Sequence, residues 1–286
     1  MDGMTRQVRS GPSASLAYDT SGSGMPLLAF HGAYSSRVEV RGFLEPVLAD
    51  RGDRALRRVY VDLPGHGDSR PSSGFRSSED VLDAVDLLLD AEVPEGPFLL
   101  LGHSYGGHFA RAVAARHPDR VAGLALLCTV VPGELRPAAS AVVRDDGVSA
   151  QLDDDQRAEY EGYFVVRTAA TLERFRTAVV PAAGPVDDET LERAITTGPH
   201  VADPDAVVVD APVLVLSGRR DRWVGWERQE RLGDGDLYPH ATVVTVADAG
   251  HALPHERPGL VGGLLGDWLE RAGLGAADAG QERPPH

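Results

Sequence analysis

The sequence predicts an α/β fold built on a mostly parallel sheet covered by helices on both faces. Three observations lead there. Short apolar, β-branched runs alternate with segments of helical periodicity along most of the chain. One of these runs, Leu99–Leu101, ends in Gly102-His103-Ser104-Tyr105-Gly106 and passes straight into a helical stretch. The 286 residues suffice for one full core carrying an insertion.

Taken in order, strands are expected at Ser15–Asp19, Pro26–His31, Arg58–Asp62, Pro97–Leu101, Val121–Cys128, Ala211–Ser217 and Ala241–Val246. Each is a short apolar run bounded by polar, glycine or proline residues. Helices are expected at Gly42–Asp50, Ser77–Ala91, Tyr105–Arg116, Trp226–Gly233 and Gly259–Ala272. Ser77-Ser78-Glu79-Asp80 ahead of the periodic Val81–Leu89 reads as a helix start. Between Pro132 and Asp210 the alternation stops, with no strand expected before Ala206–Val209. Amphipathic pieces at Asp153–Thr168, Ala170–Val180 and Asp187–Thr197 take its place, broken by Pro181-Ala182-Ala183-Gly184-Pro185 and Gly198-Pro199. Residues 1–132 and 207–273 are therefore read as the core and 133–206 as a helical insertion. The polar, Gly- and Pro-containing tail 274–286 is expected to be disordered.

Composition narrows the function classes. A net charge of −15 argues against nucleic acid and anionic membranes as partners. All 28 basic residues are arginine, which excludes a lysine nucleophile, a Schiff base and a P-loop lysine. The single cysteine, Cys128, lies in an apolar run and reads as a buried strand residue. No apolar run reaches the roughly 20 residues of a membrane helix, and the polar N-terminus has no signal core, so a cytoplasmic location is expected. No metal or cofactor is called for. The expected partner is a small-molecule substrate, with the chain a monomer or homodimer.

A serine between a buried strand and a helix, with glycines two positions to either side, fits a nucleophile elbow. The turn forces Ser104 into a strained conformation that lifts its hydroxyl above the sheet. A serine hydroxyl is a poor nucleophile and needs a base and a carboxylate to orient that base. His251, just past the Ala241–Val246 strand, is the best placed of ten histidines. Asp221, after the Ala211–Ser217 strand, is the best acid; Asp248 shares the loop of His251, and Asp210 precedes its strand. The oxyanion donors are expected from the N–H groups of Tyr105, next to the nucleophile, and of Ala33, in the turn after Pro26–His31, where Gly32 permits close approach.

Together with Asp62-Leu63-Pro64-Gly65-His66-Gly67-Asp68-Ser69, which looks like a D-x-x-G-x-G-x-S turn, these motifs resemble the α/β-hydrolase superfamily from about Ser15 to Ala272. The resemblance implies an eight-stranded-type sheet, a helical cap inserted after the sixth strand, and the catalytic triad Ser104, Asp221 and His251. Ser104 is unlike the aspartate nucleophiles of epoxide hydrolases and haloalkane dehalogenases. His31-Gly32-Ala33-Tyr34-Ser35 lacks the H-G-G-P-G of prolyl aminopeptidases and the H-G-x-G-P-G of C–C bond hydrolases. A carboxylesterase or lactonase acting on a small, largely apolar substrate remains. The alternatives are a non-hydrolytic receptor or cyclase on the same fold, or a C–C bond hydrolase. Tyr34, Tyr163, Phe164, Phe175 and Trp223 are expected at the pocket, and a strongly anionic substrate would need an arginine such as Arg37.

Overall fold

The computed structural model describes residues 4–49, 55–131, 141–184, 186–196 and 206–274. The chain runs β1 (Thr5–Ser10), β2 (Ala14–Ser21), β3 (Met25–Phe30), α1 (Arg37–Ala49), β4 (Leu56–Val61), β5 (Arg70–Pro71), α2 (Ser78–Glu92), β6 (Phe98–His103), α3 (Tyr105–Arg116) and β7 (Val121–Leu127). An insertion follows with β8 (Arg144–Asp145), α4 (Asp154–Tyr163), β9 (Val166–Arg167), α5 (Ala169–Arg174), a π turn at Phe175–Val179, and α6 (Asp188–Thr196). The core resumes with β10 (Val213–Gly218), α7 (Trp226–Glu230), β11 (Ala241–Val246), α8 (Leu253–Glu256) and α9 (Pro258–Arg271).

The main sheet has the order β1-β2-β4-β3-β6-β7-β10-β11, with β5 on the side of β2. From β4 to β11 every pairing is parallel, while β1 and β2 are antiparallel to each other and β2 to β4. Alternation within the central strands divides the core in two. Leu28, Leu100, Leu126 and Val215 face α2 and α3, whereas Leu27, Leu99, Leu101, Leu214 and Leu216 face α1 and α9. A parallel sheet buried on both faces needs such continuous apolar runs, which is why these strands were legible in the sequence. The start of α2 follows the expected chemistry: the Ser77 hydroxyl accepts from Glu79 N–H and the Asp80 carboxylate from Ser77 N–H.

Four expectations need correction. The insertion, expected to hold no strand before Ala206–Val209 and a helical piece over Asp153–Thr168, contains a short parallel ladder of β8 and β9, two residues each and too short to carry a periodic signal. β1 was not anticipated, because an almost wholly exposed edge strand carries no apolar signal. α1 begins at Arg37 rather than Gly42, because Arg37 and Glu39 are buried by polar partners and break the apolar pattern that marks a helix face. Ala206–Val209 is not a strand; Val209 N–H makes a single bond to Leu237 O at 2.9 Å, and Val208 is exposed. The boundary at 132/133 and the tail from 275 lie outside the described residues.

The insertion has its own apolar cluster of Val148, Leu152, Tyr160, Phe164, Leu172, Phe175 and Val179, joined to the core through Ala252. Among the described residues, no helix is long and apolar enough to cross a membrane.

Candidate active site

Ser104 sits between β6 and α3 with φ 53° and ψ −119°, a left-handed conformation that costs energy for any residue with a Cβ. The glycines around it are dictated by contact. A Cβ on Gly102 would fall 2.4 Å from the carbonyl oxygen of Gly106, and one on Gly106 would fall 2.5 Å from that of Phe30. The elbow is pinned by Ser104 N–H to Leu127 O at 2.9 Å and by Val130 N–H to Ser104 O at 3.0 Å.

The loop after β3 lies directly over the serine. A Cβ on Gly32 would come within 3.3 Å of Ser104 Cβ. Burial and the neighbouring His66 pull the His31 imidazole down to about 3, so the ring is neutral. Its Nε2 accepts from Leu63 N–H at 2.9 Å, which leaves Nδ1 to donate to Gly32 O at 2.6 Å and shape the loop. Behind it, the Asp62 carboxylate accepts from the backbone N–H groups of Arg37 at 2.7 Å and Asp68 at 2.8 Å. Arg37 forms ion pairs with Asp62, with Asp19 at 3.1 Å and with Asp68 at 3.0 Å. Arg37 is thus a buried structural cation, unavailable to a substrate. The D-x-x-G-x-G-x-S turn serves as the brace of the loop. Ala33 lines the same cavity as Ser104, and Tyr105 opens α3, where helix N–H groups have no intrahelical partner.

His251 follows β11, and its Nδ1 lies 2.7 Å from Asp221 Oδ2. Asp221 is fully buried after β10, and its Oδ1 accepts from Trp223 N–H at 2.8 Å and Val224 N–H at 3.2 Å. Burial by itself would lift the Asp221 carboxyl, but the charge and hydrogen bond of His251 outweigh it and hold Asp221 below the usual range. Burial likewise opposes protonation of His251, and Asp221 overcomes it, so the imidazole is raised above its ordinary value. The two other candidate acids are elsewhere: Asp248 is an exposed partner of Arg257, and Asp210 is an exposed partner of His240 at 3.0 Å.

A cavity of about 490 Å³ brings Ser104, His251 and His103 together with Glu39 and the loop from Gly32 to Ser35. The insertion supplies Ala158, Glu159, Gly162, Tyr163, Val179 and Ala183, and the loop after β10 supplies Arg222, Trp223 and Val224. Tyr34, Tyr163 and Trp223 therefore line the cavity. Phe164 and Phe175 do not; both are buried inside the insertion against Tyr160, at ring distances of 4.9 and 5.2 Å. Helical spacing marks them as buried but does not say against what. Phe175→Ala is accordingly expected to destabilise the protein by about 3–5 kcal/mol and to leave chain-length preference unchanged in the folded fraction. Denaturant unfolding alongside kinetics on two acyl lengths checks this, and a changed preference at full stability would return Phe175 to the pocket.

Two site residues, Glu39 and Glu256, carry no mark that the sequence reading used. The Glu39 carboxylate accepts from Tyr163 Oη at 2.7 Å, from His255 Nε2 at 3.2 Å and from the Ser35 hydroxyl. Burial opposes its charge, yet the hydrogen bond and charge of His255, with His103 and Ser35, hold it well below the usual range. Glu256 accepts three backbone N–H groups, from Gly250, Val165 and Val166. A glutamate one and four positions before Val40 and Phe43, on the buried stripe of a helix, was the signal available for Glu39.

Among the described residues, His103, Cys128 and His251 place ligand atoms within 4.8 Å of one another. Burial pushes the Cys128 thiol well up, and His251 is already engaged by Asp221, so the trio fits a protonated thiol beside the imidazole better than a metal centre.

The family model described as the alpha/beta hydrolase family matches residues 27–262. The pimeloyl-[acyl-carrier protein] methyl ester esterase of Xanthomonas axonopodis pv. citri (strain 306) is 30% identical over 253 residues, covering 82% of this chain and 90% of that protein. The crystal structure of an alpha/beta superfamily hydrolase from Oenococcus oeni PSU-1 superposes with a TM-score of 0.82 at 22% identity, over 90% of this chain and 96% of that one. A thermophilic esterase from Thermogutta terrifontis superposes with a TM-score of 0.64 at 24% identity, over 94% of this chain and 99% of that one. With a family model that matches residues 27–262, most of its length, this chain belongs to the alpha/beta hydrolase family.

Proposed function

We propose that the protein is a serine hydrolase of carboxylic esters or lactones with a small, largely apolar acyl or alcohol part. The observation that carries this reading is the 2.7 Å bond from His251 to buried Asp221, with His251 and Ser104 facing one cavity. Ser104 Oγ attacks the carbonyl carbon while His251 Nε2 takes the hydroxyl proton. The oxyanion is received by the N–H groups of Ala33 and Tyr105. His251 returns the proton to the leaving alkoxide, the alcohol departs, and the acyl group stays on Ser104. Water then attacks the acyl-enzyme, giving its proton to His251, and the acid is released as Ser104 recovers its proton. Asp221 holds the imidazole in the tautomer with hydrogen on Nδ1 throughout. The insertion acts as a cap that limits water entry and shapes the acyl site. The relative of 30% identity is named for cleavage of a methyl ester, which fits this chemistry.

Labelling with a fluorophosphonate, followed by a panel of p-nitrophenyl esters and lactones, tests the reading. Stoichiometric labelling of Ser104 with ester or lactone turnover is expected. A protein that binds such compounds without labelling or turnover would be the non-hydrolytic alternative.

The pH dependence follows from the raised imidazole. Because Asp221 favours the protonated ring, the free base is lost earlier on acidification than for an ordinary histidine. The rate constant kcat/KM is therefore expected to rise through one ionisation with a midpoint above about 6.5. A flat profile between about pH 5 and 9 would count against a histidine base.

A further inference from the structure

On the reading of Ser104, Asp221 and His251 as a hydrolytic triad, we propose that Glu256 is a positioning residue for the base, acting by tying the turn that carries His251 to residues 163–166 of the insertion. Glu256 Oε2 accepts the N–H of Gly250, the residue directly before His251, at 2.7 Å. Its Oε1 accepts the N–H groups of Val165 at 2.7 Å and Val166 at 3.0 Å. One buried carboxylate thus joins two segments that are distant in sequence. The neighbouring Arg257 does not claim it, since that guanidinium pairs with Asp248.

The other contacts of this segment converge on the same turn. The Val165 side chain occupies the space over Gly250, where a Cβ would meet Val165 Cγ1 at 3.0 Å. The Tyr163 ring stands edge-on to His251 with centroids 5.9 Å apart, while its hydroxyl is fixed on Glu39. Phe164 packs on His255 at 6.0 Å, and Arg174 donates to His255 O at 3.0 Å. The imidazole is therefore held at Nδ1 by Asp221, its own backbone carbonyl meets His103 Nε2 at 3.2 Å, the rings of His103 and Tyr163 face it at 5.0 and 5.9 Å, and Glu256 fixes the backbone just before it at Gly250. The insertion is part of the frame of the base as well as a cover for the cavity. Misplacing a reacting group by about 1 Å costs on the order of a hundredfold in rate, so this frame bears on kcat.

Glu256→Gln is the direct test because it changes almost no volume. A carboxylate offers acceptors on both oxygens, whereas an amide has one oxygen and one NH2. If the amide oxygen serves Val165 and Val166, the NH2 opposes Gly250 N–H; turned round, it opposes the insertion. Either way the tie is cut. For p-nitrophenyl acetate we expect kcat to fall by about tenfold to a hundredfold, with KM within about twofold. The far-downfield proton resonance of His251 Nδ1–H should shift or broaden, with circular dichroism unchanged. Val165→Ala keeps every backbone donor and removes only the side chain over Gly250. It should lower kcat several-fold at constant KM, as a check on the packing over Gly250. Should the glutamine variant fail to fold, Glu256→Asp stands in: it keeps the carboxylate but withdraws it by one methylene from its three backbone donors, and the same fall in kcat and displaced resonance are expected.

Wild-type kcat and an unmoved resonance in the folded variants would overturn the proposal. So would a loss confined to KM or scaling with acyl length, which reports pocket shape. A wild type that neither labels nor turns over esters would overturn the hydrolytic reading instead, and the resonance would still report whether Glu256 holds the imidazole.

Discussion

Ser104→Ala is expected to leave the protein folded and to lower kcat for its best ester by about 10⁴-fold or more. On the proposed mechanism the attacking oxygen is lost, while the cavity lining and the loop with Ala33 stay in place. KM should change little, because the hydroxyl contributes to the bond-forming step more than to ground-state binding. Folding should survive because alanine keeps the Cβ and the same left-handed backbone with φ 53° that serine already tolerates. The elbow is set by Gly102 and Gly106 and by backbone hydrogen bonds, none of which the substitution touches. Steady-state kinetics on purified variant, with fluorophosphonate labelling as a second readout, checks this. Ester turnover near the wild-type rate would show that another group is the nucleophile.

Asp221→Asn is expected to lower kcat by about 10³- to 10⁴-fold, while Asp248→Asn does far less. Asp221 is fully buried, and its Oδ2 receives His251 Nδ1–H, while Oδ1 receives two backbone N–H groups. An asparagine whose oxygen continues to serve those backbone donors turns its NH2 toward His251. The imidazole must then accept at Nδ1, carry its proton on Nε2, and present a donor where Ser104 needs an acceptor. Loss of the carboxylate charge also removes what lifts the imidazole above its ordinary value, so any residual activity should have its acid limb at lower pH. Asp248 instead forms an exposed pair with Arg257, an interaction worth about 0–1 kcal/mol, remote from the tautomer of His251. Measuring both variants on one ester decides between the loops, and the reverse ranking would assign the acid to Asp248.

What the sequence alone determined about this protein is whatever rests on short-range backbone constraint or on a two-sided apolar run. Ser104 could be picked out because strand and helix approach too closely at Gly102 and Gly106 for any side chain. Asp221 could be ranked above Asp210, which precedes its strand, and above Asp248, which shares the loop of His251, because parallel strands deliver their following loops at one edge of the sheet. The central strands were legible because a sheet buried on both faces permits little but apolar residues. Tertiary structure decided the rest. β1 is exposed and owes its existence to pairing with β2. Arg37 and Glu39 extend α1 because their charges are met by Asp62, Asp19, His255 and Tyr163, which come from distant parts of the chain. Tyr163 faces the cavity while its neighbour Phe164 is buried in the insertion, a difference that helical spacing cannot express because periodicity records burial without recording the partner. Glu256 carries no local signature at all, since its role lies in three backbone donors from two segments that only folding brings to one carboxylate.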